Sequence, residues 1–182
     1  MPYEPPPAIA SLSLPELAEA IAARKLPPVE QWAPAQLGES HMHIHADGRW
    51  YHEEGEIHRP AMIRAFASLL NRDESGQYWL TTPVQKLAIA VDDAPFIATD
   101  MTVSENAIVF RLNTDDLVIA GPDYPLVARG TEDNPAIYLK VRHGCEARLN
   151  RSTWLQLAEH ALEQGEDMKV CSQGAEFALI PQ

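Results

Sequence analysis

Apolar positions in this chain follow two rhythms. From Leu12 to Arg24 they recur at helical spacing, with Leu14, Leu17, Ala18 and Ile21 on one side, Ser13 placed as N-cap and Pro15 in the first turn. Pro27-Pro28 stops that helix, and after Val29-Glu30-Gln31-Trp32 and Pro34 a loop of small and polar residues runs to Ser40. From His41 to Glu54 the rhythm changes to alternation around Asp47-Gly48, a pair that suits the two-residue type I′ turn of a β-hairpin. Such a turn sets Ala46 opposite Arg49, His43 opposite His52 and His41 opposite Glu54. Met42 and Ile44 then share one face. His41, His43, His45, Trp50, His52 and Glu54 share the other.

The helical rhythm returns twice. Residues 59–70 are predicted as a helix with His58 as N-cap and Ile57 and Met62 in the hydrophobic-staple positions. Residues 151–164 repeat the device, with Asn150 as N-cap, Leu149 and Trp154 as staple, and Gly165 as stop. A shift of 92 residues lays Ile57-His58-Arg59 on Leu149-Asn150-Arg151 and keeps the apolar pattern that follows. Almost everything else reads as extended: 78–82, 85–91, 96–103, 107–112, 117–120, 137–141, and a last hairpin of 168–172 with 176–180 around Gly174. These patterns predict an α+β fold made of a duplicated ββαββ-like unit with antiparallel sheets. They divide the chain into an N-terminal arm and helix over 1–40, a first repeat over 41–100 and a second over 101–182. The seam between two similar units is the expected place for a ligand.

Composition narrows the partners. The 182 residues carry a net charge of −12, which opposes binding to a nucleic-acid polymer or an anionic membrane surface. One basic cleft remains compatible with that total. Cys145 and Cys171 lack the spacing of a disulfide framework or a zinc ribbon. The start, Met1-Pro2-Tyr3-Glu4 and three prolines, has neither the basic stretch nor the apolar run of a signal peptide, and no apolar run approaches a membrane span. A cytoplasmic protein without membrane insertion is the expectation. No Gly-rich phosphate loop, GxSxG elbow or HExxH occurs.

Two groups of residues could carry chemistry. Arg59 and Arg151 would each occupy the first position of a helix, where the macrodipole of roughly +0.5 charge favours an acid. A neighbouring carboxylate such as Glu56 or Glu146 would offset that. Alternatively, the guanidiniums and adjacent backbone N–H groups face a bound anion, with Lys86, Arg142 and Arg148 able to join them. The second group is histidine: five of the seven lie between residues 41 and 58. If the hairpin register holds, His43, His45 and His52, with His41 or Glu54, share one face and could hold Zn²⁺. The alternative is a solvated polar face that happens to be rich in histidine.

Five segments in order resemble an uncharacterised bacterial family, the domain-of-unknown-function 1285 proteins. They are Val29-Glu30-Gln31-Trp32; Asp47-Gly48-Arg49-Trp50 with Ile57 and Arg59; Tyr78-Trp79-Leu80-Thr81-Thr82-Pro83-Val84-Gln85-Lys86; Ala120-Gly121-Pro122-Asp123; and Glu146-Ala147-Arg148-Leu149-Asn150-Arg151. The resemblance runs from about residue 25 to the end. It implies a duplicated α+β core whose C-terminal half is loosely pleckstrin-homology-like and barrel-like, a nucleotide-like ligand site at the seam, and a link to signalling. Arg59, Lys86, Arg148, Asn150 and Arg151 all lie on its motif positions. His43, His45 and His52 do not belong to the family pattern. Gln85 stands where the family tends to glutamate, Cys145 where it tends to leucine, and the tail around 171–177 lacks its Trp-Ser-Gly-Gly-like hairpin.

The expected function is therefore a cytoplasmic, non-enzymatic binding or signalling protein. It would take a small anionic, nucleotide-like ligand through Arg59, Lys86, Arg148, Asn150 and Arg151, without cofactor or catalytic residue. The alternatives are a protein-interaction module with no small ligand, or a metal-dependent hydrolase using the histidine face.

Overall fold

Three-stranded meanders, taken two at a time, build both large sheets of this protein. The computed structural model describes residues 9–165 and 167–182, so the Pro5-Pro6-Pro7 segment of the expected arm lies outside the described residues. The chain divides into two units, one formed by residues 25–95 with 142–145, the other by the segment ending at Arg24 with 96–141 and 146–182.

In the first unit, strands β1 (Gln36–Ile44), β2 (Trp50–His52) and β3 (Gly55–Glu56) form one meander. Helix α2 (Pro60–Ala67) leads to a second, β4 (Leu70–Arg72), β5 (Tyr78–Thr81) and β6 (Gln85–Val91). The sheet order is β3-β2-β1-β6-β5-β4. Its centre is a parallel pairing of β1 with β6, while the other pairings are antiparallel. The expectation of wholly antiparallel sheets is corrected here. A parallel partner is distant along the chain, and alternation within one strand does not reveal it.

In the second unit, helix α1 (Leu14–Ala23) precedes the meanders β7 (Phe96–Ser104), β8 (Ala107–Leu112), β9 (Leu117–Ile119) and β10 (Leu126–Thr131), β11 (Asn134–Lys140), β12 (Glu146–Leu149). Helix α3 (Arg151–Gln164) and the hairpin β13 (Lys169–Ser172), β14 (Ala175–Ala178) follow. The order β10-β11-β12-β7-β8-β9 repeats the first sheet's plan, again with its first and last strands, β7 and β12, parallel at the centre. The duplication is real, and it is displaced between levels. Strand for strand β1 corresponds to β7, a shorter shift than the one that brings α2 onto α3.

Local chemistry explains the boundaries. Ser13 caps α1 in a full capping box with Glu16, the Ser13 N–H donating to Glu16 Oε2 at 2.7 Å. Asn150 caps α3 by accepting from the Thr153 N–H at 2.9 Å, and Gly165 ends it, both as expected. Helix α2 departs from expectation at both ends. Pro60 disfavours helical geometry at the residue before it, and Arg59 is the extended N-cap (ψ 112°) with Pro60 the first helical residue. Ser68 turns its hydroxyl back to the Ala65 carbonyl at 2.6 Å, the helix ends, and fully buried Leu70 pairs with Leu80 as a strand.

The first unit's core is Ile44, Trp50, Leu70, Leu80 and Ile89; the second's is built on Phe96, Ile108, Phe110, Leu112, Leu139 and Leu157. Ile9 and Leu17 pack with Ala107 and Val109, which brings the N-terminal segment into the second unit. Ser172 ties the last hairpin to this core, donating to the Ala120 carbonyl at 2.6 Å and accepting from the Ile108 N–H at 2.8 Å. The β10–β11 turn needs Gly130 at φ +88°, where a Cβ would stand 2.5 Å from the Asn134 carbonyl oxygen. Gly130→Ala is expected to lower stability by about 2 kcal/mol in urea unfolding, since strain at such a position costs roughly 1–3 kcal/mol. A loss under about 0.5 kcal/mol would show that this turn relaxes freely.

Candidate functional site

The basic residues singled out from the sequence have different local roles. In the first unit, Arg59 is exposed at the N-cap of α2 and makes no capping hydrogen bond with its side chain. It therefore does not occupy the first helical position, and only Arg151 shows the arginine-at-N1 anomaly. Lys86 lies on β6 with its ammonium 4.7 Å from the Trp79 ring centroid, a cation–π contact. The Trp79 indole N–H donates to Asp73 Oδ2 at 2.8 Å. Hydrogen bonds from the Ser75 hydroxyl and then Trp79 hold the Asp73 carboxyl down to about 2.

In the second unit, Arg148 and Arg151 come together. Both line a cavity of about 360 Å³ whose walls also include Asp133, Pro135, Ile137, Trp154 and Leu155. Arg148 projects from β12, its guanidinium 5.9 Å from the Tyr138 ring. Arg151 opens α3 and is exposed, while Asn150 spends its side-chain oxygen on the helix cap. Glu146, one carboxylate that could have offset Arg151, is engaged elsewhere. It accepts a bidentate pair from Arg129 at 2.7 and 2.6 Å and a further bond from Lys140. Burial alone would raise its pKa, but Arg129 and Lys140 overcome that and hold it at about 2. The second unit thus offers two guanidiniums, a helix N-terminus and an apolar wall around one hollow. Of the hairpin beside that hollow, only the second strand is legible in the sequence, over 137–141, because 126–131 carries little alternation before Gly130.

The histidine face differs from expectation. The hairpin turn spans three residues, 46–48, closed by the Gly48 N–H donating to the His45 carbonyl at 2.9 Å with Gly48 at φ +87°. This is a type I turn ending in a left-handed glycine, the other common hairpin solution for Asp-Gly. The pairs become Met42 with His52, His43 with Tyr51, and Ile44 with Trp50. A one-residue slip flips every side chain on the second strand. Trp50 therefore enters the core, His52 moves to the Met42 face, and Tyr51 joins His43 and His45. His41, at φ +57°, sits where the β1–β6 register shifts. His52 borders an apolar hollow of about 420 Å³ with Met42, Ile57, Met62, Phe66 and Leu87. His43 and His45 instead meet Asp92, a residue the sequence reading did not single out, because only the β1–β6 pairing brings it alongside.

Cys145 is buried and Cys171 exposed, and neither forms a disulfide. Among the described residues no helix is long and apolar enough to cross a membrane.

Comparison with known proteins is consistent along the chain. The N-terminal domain of unknown function DUF1285 matches residues 27–94, and the C-terminal domain of the DUF1285 proteins of unknown function matches residues 95–179. A crystal structure of a DUF1285 family protein from Silicibacter pomeroyi DSS-3 is 32% identical, with a TM-score of 0.77, covering 94% of this chain and 97% of that one. Another, from Shewanella baltica OS155, is 22% identical with a TM-score of 0.55, over 65% of this chain and 90% of that one, and shows the fold alone. No curated protein matches the chain.

Proposed function

The chain belongs to the DUF1285 family, and from that premise we propose that it is a non-enzymatic binding protein for a small anionic, nucleotide-like ligand. The observation that carries this reading is the pairing of Arg148 with Arg151 around one hollow beside the α3 N-terminus. Two guanidiniums and a helix N-terminus favour a phosphate-like group. Pro135, Ile137, Trp154 and Leu155 provide apolar surface for a flat ring. Asp133 at the same hollow disfavours a ligand of uniformly high negative charge. The net charge of −12 supports a single small anion over a nucleic-acid polymer. Two cysteines outside any disulfide support a cytoplasmic setting, in which a signalling role would be exercised.

The test is a thermal-shift and titration series against nucleoside monophosphates, cyclic nucleotides and dinucleotides. A ligand at a hundred times its Kd adds about 2.7 kcal/mol of stability and is readily seen. Arg151→Ala is expected to weaken the responding nucleotide at least about tenfold, the scale of one charge-assisted hydrogen bond. Unchanged affinity in that variant, or a flat response across the panel, would remove the reading.

A protein-interaction module is the second reading, favoured by one observation. The hollow in the first unit is walled mainly by Met42, Ile57, Met62, Phe66, Leu69 and Leu80, and Met62 is 40% exposed. Large apolar side chains left at a surface hollow suit the anchor residue of a partner.

A further inference from the structure

We propose that His43, His45 and Asp92 form a binding site for a divalent transition-metal ion of the zinc type. One potential ligand atom from each residue lies within 4.8 Å of the other two. Zinc bonds to imidazole nitrogen and carboxylate oxygen run about 2.0–2.2 Å, so ligand atoms on one ion stand roughly 3–4 Å apart. Small side-chain rotations bring the three into that range. The present contact of His43 Nε2 with Asp92 Oδ1, at 2.6 Å, has only to open by several tenths of an ångström.

The backbone fixes the donor set. His43 and His45 stand two residues apart and so face the same side of the first hairpin strand, while β6 runs parallel beside it, with His43 paired to Ala90 and Ile44 to Val91. Asp92 follows two residues after Ala90 and returns to the same face, and its own N–H donates to the Ile44 carbonyl at 3.0 Å. His45 and Asp92 each lie one residue past the end of their strand, but both remain tied to neighbouring backbone, the His45 N–H donating to the Arg49 carbonyl at 2.9 Å. The Tyr51 ring stacks on His45 at 4.1 Å between centroids, and the His43 and His45 rings are 4.5 Å apart.

Two imidazoles and one carboxylate match the softness of zinc, cobalt or nickel better than that of calcium or magnesium, which prefer oxygen cages. His43 and Asp92 are 38% and 46% exposed, so an ion reaches the site from solvent and keeps water in its remaining positions. His52, on the opposite face of the hairpin, takes no part.

The experiment is a calorimetric titration of chelator-treated full-length protein with Zn²⁺, paired with the visible spectrum of the Co²⁺-loaded protein. One equivalent of Zn²⁺ is expected, with affinity lowered at least tenfold in His45→Ala and in Asp92→Asn and unchanged in His52→Ala. Both changed side chains are on a solvent-facing surface, and circular dichroism checks that the variants fold. The Co²⁺ bands should weaken in the same two variants. The proposal is overturned if the wild type binds no stoichiometric ion, if Asp92→Asn binds as the wild type does, or if His52→Ala loses affinity to the same degree.

Discussion

Trp50→Ala is expected to destabilise the protein by about 4 kcal/mol, within the roughly 3–5 kcal/mol found when a buried large aromatic is truncated. Trp50 is 1% exposed, lies opposite Ile44, and stacks against Phe66 with ring centroids 6.4 Å apart. Removing the indole empties the space between the first hairpin and α2, and neighbours on paired strands have little freedom to fill it. Trp50→Phe should cost much less, about 1–2 kcal/mol. It keeps most of the apolar surface and deletes an indole N–H that is buried without a hydrogen-bond partner. Urea unfolding with an unchanged m-value reads both. His52→Ala, two pairings away but exposed, should change stability by less than about 0.5 kcal/mol. A loss at Trp50 as small as that at His52 would mean that the hairpin has the other register.

The second large effect is one of pH. Glu146 has a folded-state pKa of about 2 against an ordinary 4.5. Its carboxylate is 4% exposed, although Arg129 and Lys140 are 43% and 38% exposed. A depressed carboxylate pKa contributes stability that is fully present above pH 4.5 and is lost as pH falls through about 2. Linkage puts that contribution at about 3 kcal/mol, an upper figure because solvent screens the two cations. Glu146→Gln should therefore be less stable than the wild type at pH 7, and the gap should narrow between pH 4.5 and 2 as the wild type loses its charge. Parallel stability curves over that window would contradict the assignment.

The sequence revealed most where the chemistry is local. Ser13, Asn150 and Gly165 mark helix ends through hydrogen bonds made within a few residues, and those ends are where the pattern placed them. Strands β5 to β9 were legible from branched and aromatic runs bounded by Pro, Gly or Asp. Legibility fell wherever a second segment decided the outcome. Asp47-Gly48 is compatible with turns of two or three residues, and packing of Trp50 against Phe66 favours the longer one. Asp92 follows a strand with no sign of its histidine neighbours, because the parallel β1–β6 pairing joins residues far apart in the chain. The place of Arg59 outside the helix has a local cause, since Pro60 disfavours a helical residue before it. The proposed ligand hollow is partly legible: Arg148 and Arg151 are near in sequence and share it, and Ile137 lies in an extended stretch, but residues 133–136 beside it carry no pattern of their own.

The order in which this chain leaves the ribosome does not match the order in which its parts can be completed. Ile9 and Leu17 are made first, but the residues they pack against, Ala107 and Val109, emerge only after the whole of β1–β6. The first unit in turn includes Arg142–Cys145, a short segment synthesised after most of the second sheet. During synthesis the amphipathic N-terminal helix must wait with its apolar face uncovered, and the first sheet must wait for its late segment. Translation stalled near residue 95 should therefore yield a nascent chain in which residues 9–24 remain open to protease. Deleting those residues from the finished protein should expose amides in β8 and β9, far along the chain, to hydrogen exchange.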